Sequence, residues 1–183
     1  MSNYAEASQG LRKMFIAQIG AIVCTVIGAI PIIGLIGALG ALVFSVISII
    51  GLHQAGKDIE GCKTALYLTV ANIVVSLLGQ IKAISGVADI VGKIISLAIV
   101  YFVCTSVAAV LKSEGHAGIA AKGEKVWSIN LICTVVSVIC SILALIPLIN
   151  IIAGIASFVI VIVSIYAGIL YIIFLKQSSE ALG

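Results

Sequence analysis

The chain has 183 residues, a formal net charge of +3 and a composition that is 62% hydrophobic and 9% charged, whereas about 25% of residues are charged in an ordinary soluble domain. This composition excludes three classes of protein. A disordered chain needs more polar residues, a coiled coil needs a heptad pattern, and a small secreted domain held by disulfide bonds needs a framework of paired cysteines. The class that remains is an all-α integral membrane protein whose main surroundings are the lipid bilayer.

Charged residues divide the chain into three apolar blocks, at 14–52, 64–111 and 126–175. Each block is about twice as long as the roughly 20 residues that one membrane-spanning helix needs. We therefore predict one membrane domain over residues 1–183, with two transmembrane helices in each block. The six predicted spans are 14–30, 33–52, 64–80, 93–111, 127–146 and 149–175, of which the first and third are short.

A helix-breaking residue lies near the middle of the first and third blocks, at Pro31 and Pro147. Shifting the chain by 116 residues superposes these two prolines, and half that shift superposes Gly34 on Gly92. Matches at a fixed interval indicate internal repeats. The sequence therefore predicts three tandem helical hairpins with the same orientation.

The segments between the predicted hairpins, 53–63 and 112–125, carry many of the basic residues. If every hairpin begins and ends on one side, that side holds eight of the ten Lys and Arg residues, and the other side holds Lys82 and Lys93. The positive-inside rule then predicts that both termini and both linkers are cytoplasmic.

Small residues recur at four-residue spacing on the second span, at Gly37, Ala41 and Ser45, with Gly34 ahead of them. A similar stripe on the fourth span includes Gly92 and Ser96. Stripes of this kind let neighbouring helices approach closely in a membrane. We interpret them as helix contacts, either within the chain or between the subunits of a homo-oligomer.

Two asparagines lie inside predicted spans at equivalent repeat positions, Asn72 and Asn130. Polar side chains within a membrane commonly form hydrogen bonds between helices, and this is our first interpretation. The alternative is that both asparagines line a polar passage.

The segment around residues 82–93 carries the charged residues on the side opposite the termini. Lys82, Asp89 and Lys93 share one face at helical spacing, and the last two are four residues apart and can pair. We predict an interfacial helix that lies at the lipid headgroups before the fourth span begins. The alternative function of this face is to cover a pore mouth or to contact a ligand.

No cofactor or metal site is predicted. The segment Gly51–Asp58 resembles a phosphate loop, but Asp58 stands where Ser or Thr would hold magnesium. His53 and His116 lack metal-ligand spacing, and Cys62 is predicted to lie in a polar loop. The basic residues form no run, so a nucleic-acid partner is not expected.

No predicted span has an acidic or basic residue or a histidine near its centre, which argues against a proton relay or voltage sensor. We therefore expect a non-enzymatic, oligomeric membrane protein that is a passive small-solute channel or a structural or stress-related membrane component. One alternative is the membrane-embedded specificity subunit of a vitamin or solute transporter, whose Ala-xxx-Ala pattern on the first helix is resembled here by Ala17 and Ala21. Another is an accessory or immunity subunit of a larger membrane complex.

Overall fold

Six α-helices form almost all of the described chain. The computed structural model describes residues 4–28, 34–79, 81, 85–143 and 150–183. Its helices are α1 (Ala5–Gly28), α2 (Gly34–Asp58), α3 (Glu60–Leu78), α4 (Ser85–Ser113), α5 (Ala117–Leu143) and α6 (Asn150–Leu182). Each apolar block of the sequence thus contributes the greater part of two helices.

All six helices are long and apolar enough to cross a membrane. The shortest is α3, whose 19 residues extend about 28 Å at 1.5 Å per residue, close to the roughly 30 Å hydrocarbon core of a bilayer. Large aliphatic side chains such as Val26, Leu39 and Leu77 are exposed on the helices. An extensive exposed apolar surface is unfavourable in water, so these helices indicate a multi-pass membrane protein.

The helices form a closed ring. Consecutive helices pack against each other, α1 also packs against α6, and α4 makes a smaller contact with α6. Helices α1 and α2 run antiparallel, because Gly10 lies against Gly51 near one end of the pair and Cys24 lies against Gly40 near the other.

The N- and C-terminal segments meet at one end of the ring, where the Ser8 hydroxyl donates a hydrogen bond of 2.7 Å to the Ser179 carbonyl. At the same end, Oδ2 of Asp58 accepts a 2.8 Å hydrogen bond from the N–H of Ala7 in the first turn of α1. A carboxylate there complements the partial positive charge of the helix N-terminus. We call this end the terminal end, and the opposite end, near Leu78, the cavity end.

Helices α1 and α2 are in backbone contact at Gly10. A Cβ atom at this position would lie 2.5 Å from the amide nitrogen of Ala55 and 2.5 Å from the carbonyl oxygen of Gly51. Neither backbone atom can rotate away as the end of a side chain could. Glycine therefore permits the close approach, which favours helix association by dispersion where no hydrophobic effect operates.

The segment 53–63, predicted as a polar linker, is almost entirely helical. Helix α2 continues to Asp58 and α3 begins at Glu60. Only Ile59 separates them, in an extended conformation with φ −125° and ψ 104°. Ile59 is buried, so an apolar residue anchors the turn while its polar neighbours remain at the surface.

The segment 112–125 is likewise helical except at its turn. Gly115 has a φ of +84°, and the N–H of His116 donates a 2.7 Å hydrogen bond to the carbonyl of Leu111. This is a Schellman C-cap, for which glycine is favoured because it adopts positive φ without strain. The polar residues on either side thus extend α4 and α5 instead of forming a long loop.

The position predicted for Cys62 is wrong, because this residue is fully buried in α3 and not in a polar loop. Its neighbours Glu60 and Lys63 are exposed, whereas Cys62 and Ala65 face the core. One helical turn with this pattern has a polar outer face and an apolar inner face. A cysteine thiol behaves as a small hydrophobic group in such a position.

Candidate functional site: a polar cavity in one half of the ring

An apolar core fills the half of the ring next to the terminal end, which we call the terminal half. Its largest fully buried aliphatic and aromatic side chains are Leu11, Leu52, Val103, Val107, Leu111, Val126, Phe174 and Leu175. Ser178 is the one fully buried polar side chain among the described residues, and its hydroxyl donates to the Phe174 carbonyl of its own helix at 2.7 Å. The core therefore closes the terminal end with packed apolar side chains.

The half of the ring next to the cavity end, which we call the cavity half, contains two adjoining cavities. Their volumes are about 550 and 400 Å³. The larger lies among α3, α4, α5 and α6, and the smaller lies among α1, α2 and α3. They meet at Asn72 and Ser76, which line both. The other polar lining residues are Gln18, Ser45, Ser48 and Thr69 in the smaller cavity, and Ser85, Asp89, Lys93, Ser96, Asn130, Thr134, Ser137 and Ser164 in the larger.

Helical spacing directs the polar residues inward. In α5, Asn130, Thr134 and Ser137 line the larger cavity, and their spacing of three and four residues places them on one face of the helix. Ile132 and Val135 lie off this face and are exposed at the outside of the helix, Ile132 to 62%. The helix is thus amphipathic with its polar face toward the interior, as expected where lipid covers the outside.

Asn72 joins two helices and is incompletely satisfied. Its Nδ2 donates a 3.2 Å hydrogen bond to Oγ of Ser96 on α4. Its Oδ1 is buried without a hydrogen-bond partner and lies 3.5 Å from where a Cβ at Gly92 would be. Whichever way the amide is turned, one buried polar atom stays unpaired, which costs free energy. Asn72 therefore combines an interhelical hydrogen bond with a place in the cavity wall.

Asn130 has a different set of contacts. Its Nδ2 donates a 3.0 Å hydrogen bond to the carbonyl of Val126, one turn earlier in α5. The side chain lines the larger cavity and makes no hydrogen bond to another helix in the described structure. The two equivalent repeat positions thus share a polar wall but not an interhelical bond.

Several hydroxyl groups present oxygen lone pairs to the cavities. Ser45, Thr69 and Ser76 each donate a 2.8 Å hydrogen bond to the carbonyl four residues earlier in their own helices. Because the single hydroxyl proton is used in this bond, each oxygen is left to accept from the cavity. This part of the wall is therefore rich in acceptors.

The sequence predicts a separate interfacial helix before the fourth span, but the structure has one continuous helix, α4, from Ser85 to Ser113. No residue at 85–93 breaks the hydrogen-bonding pattern, since the segment lacks proline. Asp89 and Lys93 therefore lie in the first third of α4, where both line the larger cavity. Their Oδ2 and Nζ atoms are 2.7 Å apart.

The small-residue stripes occupy two environments. Gly37 is buried, Ala41 is half-buried, and Ser45 is exposed and lines the smaller cavity. The stripe on α4 faces α3, because Gly92 lies beside Asn72 and Ser96 bonds to it. Gly34 is the first residue of α2.

Three residues of the sequence analysis lie outside the described residues. They are Pro31 and Pro147, at the predicted helix breaks, and Lys82, on the predicted interfacial face.

Close helix contacts at several other glycines, among them Gly10, Gly61 and Gly123, were not predicted. Besides Gly10, a Cβ would collide with Ser106 of α4 at Gly61 and with the ring of Phe174 of α6 at Gly123. Each of these three glycines begins a Gly-X-Arg/Lys triplet in α1, α3 or α5, and the sequence contains this triplet nowhere else. The triplets are unequally spaced, so a fixed shift along the chain does not align them.

The described part of the chain contains no group of three or more His, Cys, Asp or Glu side chains that could hold a metal ion. The segment Gly51–Asp58 belongs to helix α2 and is not a phosphate-binding loop. Comparison with models of known protein families, with characterised proteins and with solved structures finds no match. The residues and geometry of this chain alone therefore carry its functional assignment.

Proposed function

We propose that this protein is a non-catalytic, multi-pass membrane protein that binds a small polar solute in the cavity half of its ring. The observation that carries the proposal is the contrast between the two halves. One half has a wall of amides, hydroxyls and an ion pair, and the other has a packed apolar core. A concave site with a few polar groups inside an apolar scaffold is the usual form of a small-molecule site.

This contrast favours a solute-binding transport component over a passive channel. A passive channel needs a polar path through both halves of the ring. Leu11, Leu52 and Phe174 are fully buried in the terminal half, and apolar constrictions of this kind stop the passage of polar solutes. A solute-specificity subunit, in contrast, needs a site that opens to one side only.

We also propose a topology of three tandem hairpins with both termini in the cytoplasm. The antiparallel contact of α1 with α2 supports the first hairpin, and the concentration of lysine and arginine near the terminal end supports the orientation. In this orientation the cavity half of the ring lies away from the cytoplasm, which suits uptake of an external solute. A homo-oligomer, or a complex with an energy-coupling partner, would use the apolar outer faces of the helices.

Thermal unfolding of the purified protein in lipid nanodiscs tests the proposed function. The solutes are amino acids, sugars, polyols, nucleosides and water-soluble vitamins, each added at millimolar concentration. A solute present at 100 times its dissociation constant stabilises the folded state by about 2.7 kcal/mol. We expect one chemical class to raise the Tm and native mass spectrometry to detect one bound molecule per chain.

Two variants of α5 provide a matched comparison. Asn130→Leu removes an amide from the cavity wall and should abolish the Tm increase. Ile132→Leu, two residues away on the exposed face, should leave it unchanged. A solute that stabilises all three proteins equally would contradict binding in the cavity. Leak of small solutes from proteoliposomes that contain the wild-type protein alone would support the channel instead.

A further inference from the structure

We propose that the terminal end of the ring binds the headgroups of anionic phospholipids through three basic residues, Arg12, Lys63 and Lys125. Each is the last residue of one Gly-X-Arg/Lys triplet, on helix α1, α3 or α5. We call these three residues the basic belt. The belt lies on the outside of the ring, so lipid binding there does not depend on a solute in the cavities.

The first two triplets lie at the same level of the ring. Gly10 of α1 packs on the backbone of α2 at Ala55. The next residue of α2, Gly56, packs on α3 at Lys63, since a Cβ atom at Gly56 would be 3.0 Å from the Cα atom of Lys63. Helix α2 therefore connects the first triplet to the second without a change of level.

The third triplet lies at the level of the second, on the other side of α4. A Cβ atom at Gly61 of α3 would be 3.1 Å from the carbonyl oxygen of Phe102. A Cβ atom at Gly123 of α5 would be 3.2 Å from the carbonyl oxygen of Cys104. These two carbonyls are only about 3 Å apart along the axis of α4. All three triplets thus encircle the ring at one level.

Helical spacing directs the basic residue of each triplet outward. The glycine faces a neighbouring helix, and a residue two positions later in an α-helix points about 200° away from it. Arg12, Lys63 and Lys125 are accordingly exposed. Their helices begin at the terminal end, and side chains on a helix lean toward its N-terminus. The three cations therefore lean toward the terminal end, where the lipid headgroups would lie.

Further from the terminal end, the same outer faces become apolar. The residue seven positions after each cation, two turns along the same face, is Ile19, Val70 or Ile132. These side chains are 41%, 49% and 62% exposed. A lipid that placed its phosphate on the cation would thus place an acyl chain along exposed aliphatic side chains. Each surface therefore has the order of groups found in a phospholipid, charged at one end and apolar beyond it.

Aromatic residues mark this level of the ring as a membrane interface. Tyr67 lies one turn beyond Lys63 and is exposed. Trp127 lies two residues beyond Lys125 and packs edge-on against Tyr101. Tyrosine and tryptophan are enriched where the hydrocarbon core meets the headgroups. The basic belt therefore lies within reach of the headgroup phosphates.

The basic belt is available to bind an anion. None of its three side chains forms an ion pair or a side-chain hydrogen bond with another described residue. Lys57, Lys112 and Lys176 at the same end are each paired with a glutamate. Glu60, three residues before Lys63, is the acid outside these pairs that is nearest to the belt in the sequence. Anionic headgroups would supply the counter-charge that the belt lacks within the chain.

Native mass spectrometry of the protein released from nanodiscs tests this inference. The nanodiscs contain equal amounts of phosphatidylglycerol and phosphatidylcholine with the same acyl chains. One basic residue near the membrane surface favours an anionic lipid by about fivefold. We therefore expect the wild-type protein to retain phosphatidylglycerol over phosphatidylcholine by about this factor for each of the first three lipids bound. Equal retention of the two lipids would overturn the proposal.

Two triple variants assign the preference to the charges of the belt. Arg12→Gln, Lys63→Gln and Lys125→Gln together should bring retention of the two lipids close to equal, although the half-buried Lys13 remains. Arg12→Lys, Lys63→Arg and Lys125→Arg together keep every charge and should keep the preference. A loss of preference in this second variant would contradict an electrostatic origin. The wild-type measurement remains decisive if either variant does not fold.

A matched control removes three cations from the same end of the ring. Lys57→Gln, Lys112→Gln and Lys176→Gln lower the net charge as much as the glutamine variant of the belt does, but they affect only lysines in ion pairs. We expect this control to keep the preference for phosphatidylglycerol. If it loses the preference as completely as the belt variant, the net charge of the terminal end attracts the lipid and the assignment to the belt is wrong.

Discussion

Replacement of Asn72 by leucine is expected to stabilise the protein while abolishing solute binding. Leucine has the branched shape of asparagine, so Asn72→Leu removes the polar atoms with little change in packing. The substitution loses the hydrogen bond to Ser96, and an interhelical bond of this kind contributes about 0.6 kcal/mol in membrane proteins. It also removes Oδ1, a buried acceptor without a partner, whose desolvation costs about 1–3 kcal/mol. The net change is a stabilisation of about 1 kcal/mol.

Asn130→Leu is the matched control for this prediction. Asn130 lines the same cavity, but its amide bonds within its own helix to Val126, and its Oδ1 is not a buried unpaired atom. We therefore expect the free energy of unfolding to change by less than about 0.5 kcal/mol, because only a local side-chain bond is lost. Both variants should lose solute binding.

Unfolding by increasing mole fractions of sodium dodecyl sulfate in mixed micelles measures these differences. The fluorescence of Trp127, the only tryptophan of the chain, reports the transition, because its ring packs edge-on against Tyr101 with centroids 4.7 Å apart. A loss of 1 kcal/mol or more in Asn72→Leu would refute the reasoning. It would mean that Asn72 serves mainly as a structural bond between α3 and α4.

Three other predictions concern packing, accessibility and capping. Gly10→Ala should destabilise the protein by about 1–3 kcal/mol, because the new Cβ meets backbone atoms of α2. Gly168→Ala should leave the stability unchanged, because a Cβ at this position has no atom within 4 Å. Equal stability of the two variants in the same unfolding assay would contradict this prediction. A small charged methanethiosulfonate should modify Cys133, which lines the larger cavity, and should not modify Cys62, which is fully buried. Mass spectrometry of the digested protein locates the label. A label on Cys62 would show that the apolar core is open to water. Asp58→Ala should cost about 1 kcal/mol, since it removes the carboxylate that accepts from the first turn of α1, and unchanged stability would show that this cap contributes little.

The six helices could be predicted from the sequence because hydropathy and block length are sufficient for this purpose. Each apolar block is too long for one span, and the structure has two long apolar helices for each. The ends of the helices were harder to predict. Residues around 53–63 are polar because they lie on the outer face of helix ends, and polarity by itself does not distinguish such an end from a loop.

The cavity could be predicted only in fragments. Asn72, Asn130 and the pair Asp89 and Lys93 stand out in the sequence as polar residues in an apolar chain. Their common location depends on how the ring closes, and no spacing along the chain reveals that Asn72 meets Ser96 on the next helix. The inward direction of the polar faces becomes clear only when the exposed faces, such as that of Ile132, are known.

The most direct test of the central claim is to determine from which side of the membrane water reaches the cavity. Single cysteines replace Ser76, which lines both cavities, or Val103 in the apolar core, in a protein whose five native cysteines are changed to alanine. A membrane-impermeant thiol reagent is then added to either side of oriented proteoliposomes. We predict that the cysteine at position 76 reacts only from the side opposite the termini and that the cysteine at position 103 reacts from neither side. Reaction at position 76 from both sides would contradict a cavity sealed at the terminal end, and reaction from neither side would contradict a cavity open to water.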